Sequence, residues 1–421
     1  PLSRYVDYMY SYPHKTAYRP FPAPVSLLPY LEQLQGRKAS LYFHIPFCSH
    51  KCGYCNLFSL QTNRTEYIAT YLDTLHRQAQ QLSPLTAGLT FDSFAIGGGT
   101  PLLLTVPQLE QLMATAALFG VHPSHAFTSV ETSPEYADRP RLNVLKKAGV
   151  SRVSIGIQSF QDEELKAIKR RPRQNTIYQA LDDIRQMDFP YFNIDLIYGI
   201  KGQTVESFLY SLEEALRFQP NELFIYPLYV RQGTGITERE PDDVCFRMYR
   251  AACKLLQAKG FLQTSMRRFI HHPSTDAEVS CGDEVMLSCG SGGRSYLGDL
   301  HYATRYTVCQ QCIAREIDEY MATTDFTVAR NGFILSAKEQ QQRFIIKNLM
   351  YYMGIDKAEY TRRFGEPLDR TPLFRQLAEQ YWIEETPERI RLTPEGLGYS
   401  DYIGQLFITP EIRQLMETYS Y

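Results

Sequence analysis

From about residue 40 to 260 the chain alternates two kinds of hydrophobic pattern. Short, near-continuous apolar runs rich in β-branched and aromatic residues fall at 40–45 (SLYFHI), 92–99 (DSFAIGGG), 127–132 (FTSVET), 151–157 (SRVSIGI), 191–197 (YFNIDLI) and 222–228 (ELFIYPL). Between them lie longer stretches with apolar positions three and four apart: EYIATYLDTLHRQAQQL, VPQLEQLMATAALF, RPRLNVLKKAG, QDEELKAIK, NTIYQALDDIRQM and VESFLYSLEEALRF. The short runs predict strands covered on both faces, and the long stretches predict amphipathic helices. Repeated alternation of the two is the pattern of a parallel sheet in an α/β protein.

The polar residues decide the shape of that sheet. Cys48, Gly98, Glu131, Gln158, Asp195 and Tyr226 all fall at or just after the ends of the runs. An open sheet would string them along a line, whereas a barrel brings its strand ends to one mouth. The expectation is a partial (β/α)6 TIM-type barrel over 40–260, preceded by an N-terminal extension over 1–39. After 260 the rhythm changes. FLQTSMRRFI and EVMLSCGSGGRSYLGD read as barrel-flanking strands and a glycine-rich turn within 261–334. From 335 to 421 come two helical segments and a two-stranded hairpin, YWIEETPERIRLTPEGL, the outline of a winged-helix-like module. DNA binding would need a basic recognition helix, and LDRTPLFRQLAEQ balances its two arginines with two acids. A lid or packing role suits that module better.

Composition narrows the function classes. The 421 residues are 44% hydrophobic and 21% charged with a formal net charge of -2, so no strongly basic surface is expected for nucleic acid. No apolar run reaches the roughly 18 residues of a membrane span. The first residues, PLSRYVDYMYSYPHKTAYRPF, lack the pattern of a signal peptide. Both observations point to the cytoplasm. There the nine cysteines, three of them crowded together, read as ligands rather than a disulfide frame.

The crowded three are Cys48, Cys52 and Cys55, C-x3-C-x2-C within HIPFCSHKCGYCNLF (44–58). Three thiolates can hold three corners of a cubane iron–sulfur cluster and leave the fourth iron open to a small molecule. A zinc site completed by His44 or His50 is the competing reading, although His50 lies cramped between two of the cysteines.

The motif follows a first strand and has an aromatic residue before its last cysteine, and in this it resembles the radical S-adenosylmethionine (SAM) enzymes. LYFHIPFC, AIGGGTPLLL, RVSIGIQSF and NIDLIYGIKGQT are similar to the class that contains the oxygen-independent coproporphyrinogen III oxidase, a heme chaperone, heme-degrading enzymes and the class C methylases. SYPHKTAYRP, CNLF and SVETSPE resemble a less characterised bacterial branch of that class. The resemblance implies a [4Fe-4S] cluster on Cys48, Cys52 and Cys55, with SAM chelating the open iron. Reductive cleavage would then release a 5′-deoxyadenosyl radical. It also implies two SAM molecules in one barrel and an electron donor such as flavodoxin or ferredoxin.

By the same resemblance Gly98, Gly99, Thr100, Glu131, Gln158 and Asp195 are SAM-binding positions, and Arg170 pairs with the SAM carboxylate. Tyr42 and Arg294 fall near the first SAM; Tyr54, Tyr226 and Pro227 fall near the second. Glycines at a strand end also allow close backbone approach on their own account. A carboxylate at a strand end can accept from ribose hydroxyls or an amino group. The expected chemistry is radical methylation, or a related methylene transfer such as cyclopropanation, of an sp² carbon in a small molecule. One alternative is a tetrapyrrole enzyme, decarboxylating coproporphyrinogen or degrading heme. It is weakened because Leu57 stands where the oxidase motif carries a further cysteine. The other is a heme carrier without turnover, with His44, His50, His271, His272 and His301 as candidate axial ligands. Cys281 and Cys289 flank the glycine-rich segment expected near the mouth, so one of them could meet substrate. Cys309 and Cys312 read as ordinary thiols or a second metal pair, and Arg231 as a loop cation or a carboxylate clamp.

Overall fold

A computed structural model describes residues 3–171, 174–271, 284–368 and 372–421. The six expected strands form, each within about two residues of its apolar run: β1 (Lys38–Ile45), β2 (Thr90–Gly98), β3 (Phe127–Thr132), β4 (Arg152–Gln158), β5 (Tyr191–Tyr198) and β6 (Glu222–Pro227). They lie parallel and in chain order across the sheet. The helices between them run over Thr65–Leu82, Val106–Ala117, Arg139–Ala148, Asp162–Ala167, Gln174–Met187 and Val205–Leu216. Their starts are locally encoded. Thr105 and Thr204 each close a capping box, and Asp138 accepts from the Arg141 amide.

The sheet is larger than the six-strand pattern. Met286–Cys289 joins the outer side of β1 as a further parallel strand, with Ser288 opposite Tyr42. No helical stretch announces it in the sequence, so its parallel orientation was not legible there. Antiparallel strands then extend both ends, giving thirteen strands in all. Arg268–Ile270 and Leu262–Gln263 follow β6, while Arg294–Leu297, Leu300–Ala303, Val328–Ile334 and Arg19–Ser26 lie beyond Met286–Cys289. The last is an edge strand with Pro20, Pro22 and Pro24. Proline has no N–H to offer a further strand, which suits a position with one side unpaired.

The partial barrel is filled by apolar residues, but its interior also carries a polar column. At the base Glu222 accepts from Arg152 and from Arg268 Nε at 2.8 Å. Midway, Asn193 Nδ2 donates to Ser154 Oγ at 2.7 Å and to Asp195 Oδ1 at 2.8 Å. The column ends at the mouth.

The C-terminal part has its own core, which includes Phe344, Ile346, Leu349, Ile390 and Ile403. Its three-stranded sheet (Ile355–Asp356, Arg389–Leu392, Ile383–Glu385) adds one strand to the expected hairpin. The described part of the N-terminal extension, residues 3–39, packs into both parts of the structure. Tyr5, Leu27, Leu31 and Leu34 pack in the barrel core, while Met9, Tyr12 and Ala17 pack in the C-terminal core. The segment crosses the mouth between the two. Tyr12 bonds to Glu339, and Lys347 Nζ donates to the Tyr10 carbonyl at 2.9 Å.

The two cores are also joined by a buried ion pair. Arg267 Nη2 donates to Asp401 Oδ1 at 2.6 Å, and Tyr229 donates to the same carboxylate. Replacing Asp401 with Asn leaves the Arg267 charge without its counter-ion in a place water does not reach. The expected loss is about 3 kcal/mol, measured as a lower midpoint in urea denaturation.

Candidate functional site

The cysteine loop starts where β1 ends. Phe47–Cys48 pairs with Leu60–Gln61 and ties off a loop that carries all three cysteines. Gly53 pins it to the rest of the barrel: its amide donates to the Ile168 carbonyl at 3.1 Å, and its carbonyl accepts from Gly235 at 2.7 Å. Beneath the loop passes the end of β2. A Cβ on Gly99 would lie 2.5 Å from the Phe47 carbonyl oxygen and 2.7 Å from Cys48 Sγ. A Cβ on Gly98 would lie 2.6 Å from the Ile45 carbonyl oxygen, at a φ of +121. The glycines are therefore a steric requirement for seating the thiols on the strand ends.

The loop is chemically prepared for a ligand. Burial pushes the Cys48 thiol up to about 11 and also raises Cys55, so without a ligand these thiols stay protonated. Thr100 Oγ1 donates to Cys48 Sγ, and Arg170 Nη1 donates to Cys52 Sγ, both at 3.5 Å. Such donors stabilise a thiolate once a metal has displaced its proton. Among the described residues no three His, Cys, Asp or Glu side chains gather around a single ion. A cubane does not ask for that, because each thiolate holds a different iron.

Two cavities adjoin at the mouth. One, of about 300 Å³, is lined by Tyr42, His44, Gly98, Glu131, Arg294 and Tyr306, among others. The second, of about 400 Å³, is lined by Tyr54, Cys55, Gln158, Tyr226, Pro227 and Arg231, among others. Tyr10, Lys15, Leu57 and Glu131 belong to both. The residues expected at the first and second SAM thus separate into different, adjoining spaces. Gly99, Thr100, Arg170 and Asp195 line neither; the first three lie against the cysteine loop, and Asp195 stands in the polar column.

The electrostatics are those of a site with unused polar capacity. Burial pushes Asp195 up to about 7, opposed by the Asn193 hydrogen bond and Arg152. Desolvation likewise raises Glu131, whose carboxylate is open to cavity space at the mouth and accepts from the Gly98 amide. Gln158 has a φ of +72 at the end of β4, where the register with β5 shifts. A non-glycine residue held there is a strained position of the kind found at binding sites. Gln158 Oε1 and Arg170 Nε are buried without partners. The remaining Arg170 nitrogens reach Tyr54 Oη at 3.0 Å and the Gly156 carbonyl. Orphaned polar atoms beside a thiol loop fit a zwitterionic cofactor.

Several lining residues were not read from the sequence. Tyr8, Tyr10 and Lys15 come from the segment that crosses the mouth, and Tyr229 and Tyr306 from loops. The one available signal was a histidine and lysine set among tyrosines, SYPHKTAY, without helix or strand periodicity. Tyr10 is pulled down to about 8: burial would raise it, but Arg294 and Lys15 outweigh that. Arg231 does face the mouth, where it pairs with Asp7 at 2.9 Å.

One expectation is corrected. Cys289 does not meet the mouth; it is fully buried within the sheet, and burial raises its thiol strongly. Cys281 and His272 lie outside the described residues. Of the described candidate heme ligands, His44 lines one of the two cavities, and both its nitrogens are engaged, by Tyr42 Oη at 3.0 Å and the Phe58 carbonyl at 2.9 Å. His301 is completely buried with neither nitrogen bonded. Cys309 is exposed at the start of the helix Gln310–Ala322. No helix among the described residues is long and apolar enough to cross a membrane.

Two outcomes follow from this geometry. Gly99→Ala is expected to lower the iron and sulfide content of reconstituted protein while far-ultraviolet circular dichroism stays unchanged. Asp195 holds its proton to about pH 7 when folded, against an ordinary value of 3.8. The folded state therefore binds the extra proton between these values, and stability falls as pH rises through that window. Asp195→Asn removes the fall and should stabilise the ligand-free protein by about 1–3 kcal/mol at pH 8 but not at pH 4, read by urea denaturation.

Comparisons with known proteins agree with the geometry. Residues 42–215 match the radical SAM superfamily, and residues 335–398 match the HemN C-terminal domain. An oxygen-independent coproporphyrinogen III oxidase of Salmonella typhimurium is 31% identical, over 86% of this chain and 83% of its own. The heme chaperone HemW of Bacillus subtilis is 27% identical, over 87% of this chain and 100% of its own. The solved coproporphyrinogen III oxidase HemN of Escherichia coli superposes with a TM-score of 0.80 at 22% identity, covering 93% of this chain and 96% of that one. The chain belongs to the radical SAM superfamily, in the class of the coproporphyrinogen III oxidase and the heme chaperone, and so works with a [4Fe-4S] cluster and SAM.

Proposed function

We propose that this radical SAM enzyme acts on a tetrapyrrole bearing carboxylate side chains. The observation that carries the reading is the mouth itself: an aromatic cavity beside the cysteine loop, edged by Lys15, Arg231 and Arg294. Tyrosine rings suit a flat macrocycle, and cations suit propionates. The relatives are named for coproporphyrinogen III and for heme, which supports this reading over methyl transfer. Methyl transfer has no support in these relatives, and the tetrapyrrole alternative fits them better.

The cluster with SAM, when bound, supplies a one-electron cleavage that delivers a hydrogen-abstracting carbon radical. The chain's own residues hold and shield that chemistry. Cys48, Cys52 and Cys55 ligate the cluster. Gly98, Gly99, Thr100, Glu131, Gln158, Arg170 and Asp195 bind SAM at the strand ends. Tyr42 and Arg294 serve one SAM, and Tyr54, Tyr226 and Pro227 serve a second in the adjoining cavity. Leu57, on the wall of both cavities, offers no thiol to the substrate. This favours a side-chain reaction that differs from the oxidase's in its proton handling. The segment carrying Tyr8 and Tyr10 covers the mouth and keeps water from the radical.

A carrier reading is favoured by the heme chaperone relatives, and one experiment separates the two. Anaerobic, cluster-loaded protein is given SAM, a strong reductant and coproporphyrinogen III, and 5′-deoxyadenosine and tetrapyrrole products are measured by mass spectrometry. The enzyme reading expects 5′-deoxyadenosine that rises with the tetrapyrrole and is lost in Cys52→Ala. Stoichiometric heme binding with no 5′-deoxyadenosine would replace it with the carrier.

A further inference from the structure

Lys15 is a cation whose nearest ionisable partner is a tyrosine, Tyr10, rather than a carboxylate. It stands on the wall common to both cavities. Its ammonium lies 3.8 Å from the centroid of the Tyr306 ring and shares a hydrogen bond with the Tyr10 hydroxyl. The Tyr10 oxygen favours its charged form, whereas Arg294 and Arg231, both positive, oppose it. Arg294 donates to Ser11 Oγ at 2.7 Å and stacks on Tyr10, neither of which cancels a charge. Asp7 is taken by Arg231 at 2.9 Å. Among the described residues lining the two cavities Glu131 is the one carboxylate, and it already accepts from the Gly98 amide. With Arg231 paired to Asp7, Lys15 and Arg294 are left to face a cavity system with one carboxylate. Tyrosine rings soften such a charge without neutralising it. A half-buried charge among aromatic rings is best completed by a partner of opposite sign, and the cavity it lines has room for one on a ligand.

We propose that Lys15, with the Tyr10 hydroxyl beside it, is the binding site for a carboxylate of the substrate. The identity of the acid, a tetrapyrrole propionate, rests on the function proposed above. The methionine carboxylate of SAM has the same chemistry, but the structure favours the substrate as its source. Lys15 shares cavity walls with the cysteine loop and the strand ends but is contributed by neither. It belongs to the segment laid across the mouth, apart from the strands that carry the expected SAM residues. Arg170, against the cysteine loop, and Arg294, against the glycine-rich turn, are already available to SAM.

The test uses full-length, cluster-loaded protein saturated with SAM, and a fluorescence titration with two probes. One is coproporphyrin III, which keeps its propionates; the other is its amide, in which they carry no charge. The readout is the ratio of the two affinities, which a fraction of unfolded protein does not change. In Lys15→Met the preference for the acid is expected to fall about tenfold to a hundredfold, while Lys15→Arg, which retains a cation, preserves most of it. SAM affinity, measured by equilibrium dialysis, is expected to be the same in all three proteins. An unchanged ratio in Lys15→Met overturns the assignment. So does a loss of SAM affinity with the ratio intact, which would give Lys15 to the SAM carboxylate instead. Wild-type protein that binds neither probe would remove the tetrapyrrole reading itself, and this inference with it.

Discussion

The site depends on one close approach of backbone to backbone. The end of β2 passes so near the cysteine loop that the Phe47 carbonyl accepts the Thr100 amide at 2.8 Å, and the Ile45 carbonyl accepts the Gly99 amide at 2.8 Å. No side chain fits in that gap. The bonds make one unit of the strand that ends in thiols and its neighbour that ends in glycines. Every other strand-end residue is then placed relative to the thiols by sheet register rather than by loop conformation: Glu131 through β3, Gln158 through β4 and Asp195 through β5. A rigid sheet is a better ruler than a loop for chemistry that tolerates little misplacement.

Charge is distributed differently from position. The barrel carries acids, Glu222 at its base and Asp195 and Glu131 at its top; burial pushes Asp195 up to about 7 and also raises Glu131. The cations that face the mouth come from outside the parallel strands, on Lys15, Arg231 and Arg294. A cofactor that is both cationic and anionic fits between the two sets, and an acidic substrate is drawn to the outer one.

What the sequence disclosed follows from how local each feature is. Strands buried on both faces leave continuous apolar runs, so all six were legible to within about two residues. A steric demand for glycine and a demand for thiol ligands leave residue types that nothing else replaces, so Cys48, Cys52, Cys55, Gly98 and Gly99 were legible too. Lys15, Tyr8 and Tyr10 were not, because their segment has no periodicity of its own and takes its path from contacts more than 200 residues away, such as Asp7 with Arg231. Met286–Cys289 looked like any short strand, since nothing in four residues tells a parallel partner from an antiparallel one. Cys289 was misread for the same reason: a cysteine beside a glycine-rich turn looks accessible until the strand it ends is known to be interior.

The strap across the mouth also has a consequence in time. Its residues leave the ribosome early, yet they are held by Glu339, Lys347 and Thr409, which are synthesised more than 300 positions later. While the chain is being made, the barrel strands and the cysteine loop can assemble with no cover over them. The enclosure becomes complete only when the C-terminal core docks. The strap thus ties completion of the mouth to docking of the C-terminal core, so that damage to that core is felt at the cover over the cysteine loop.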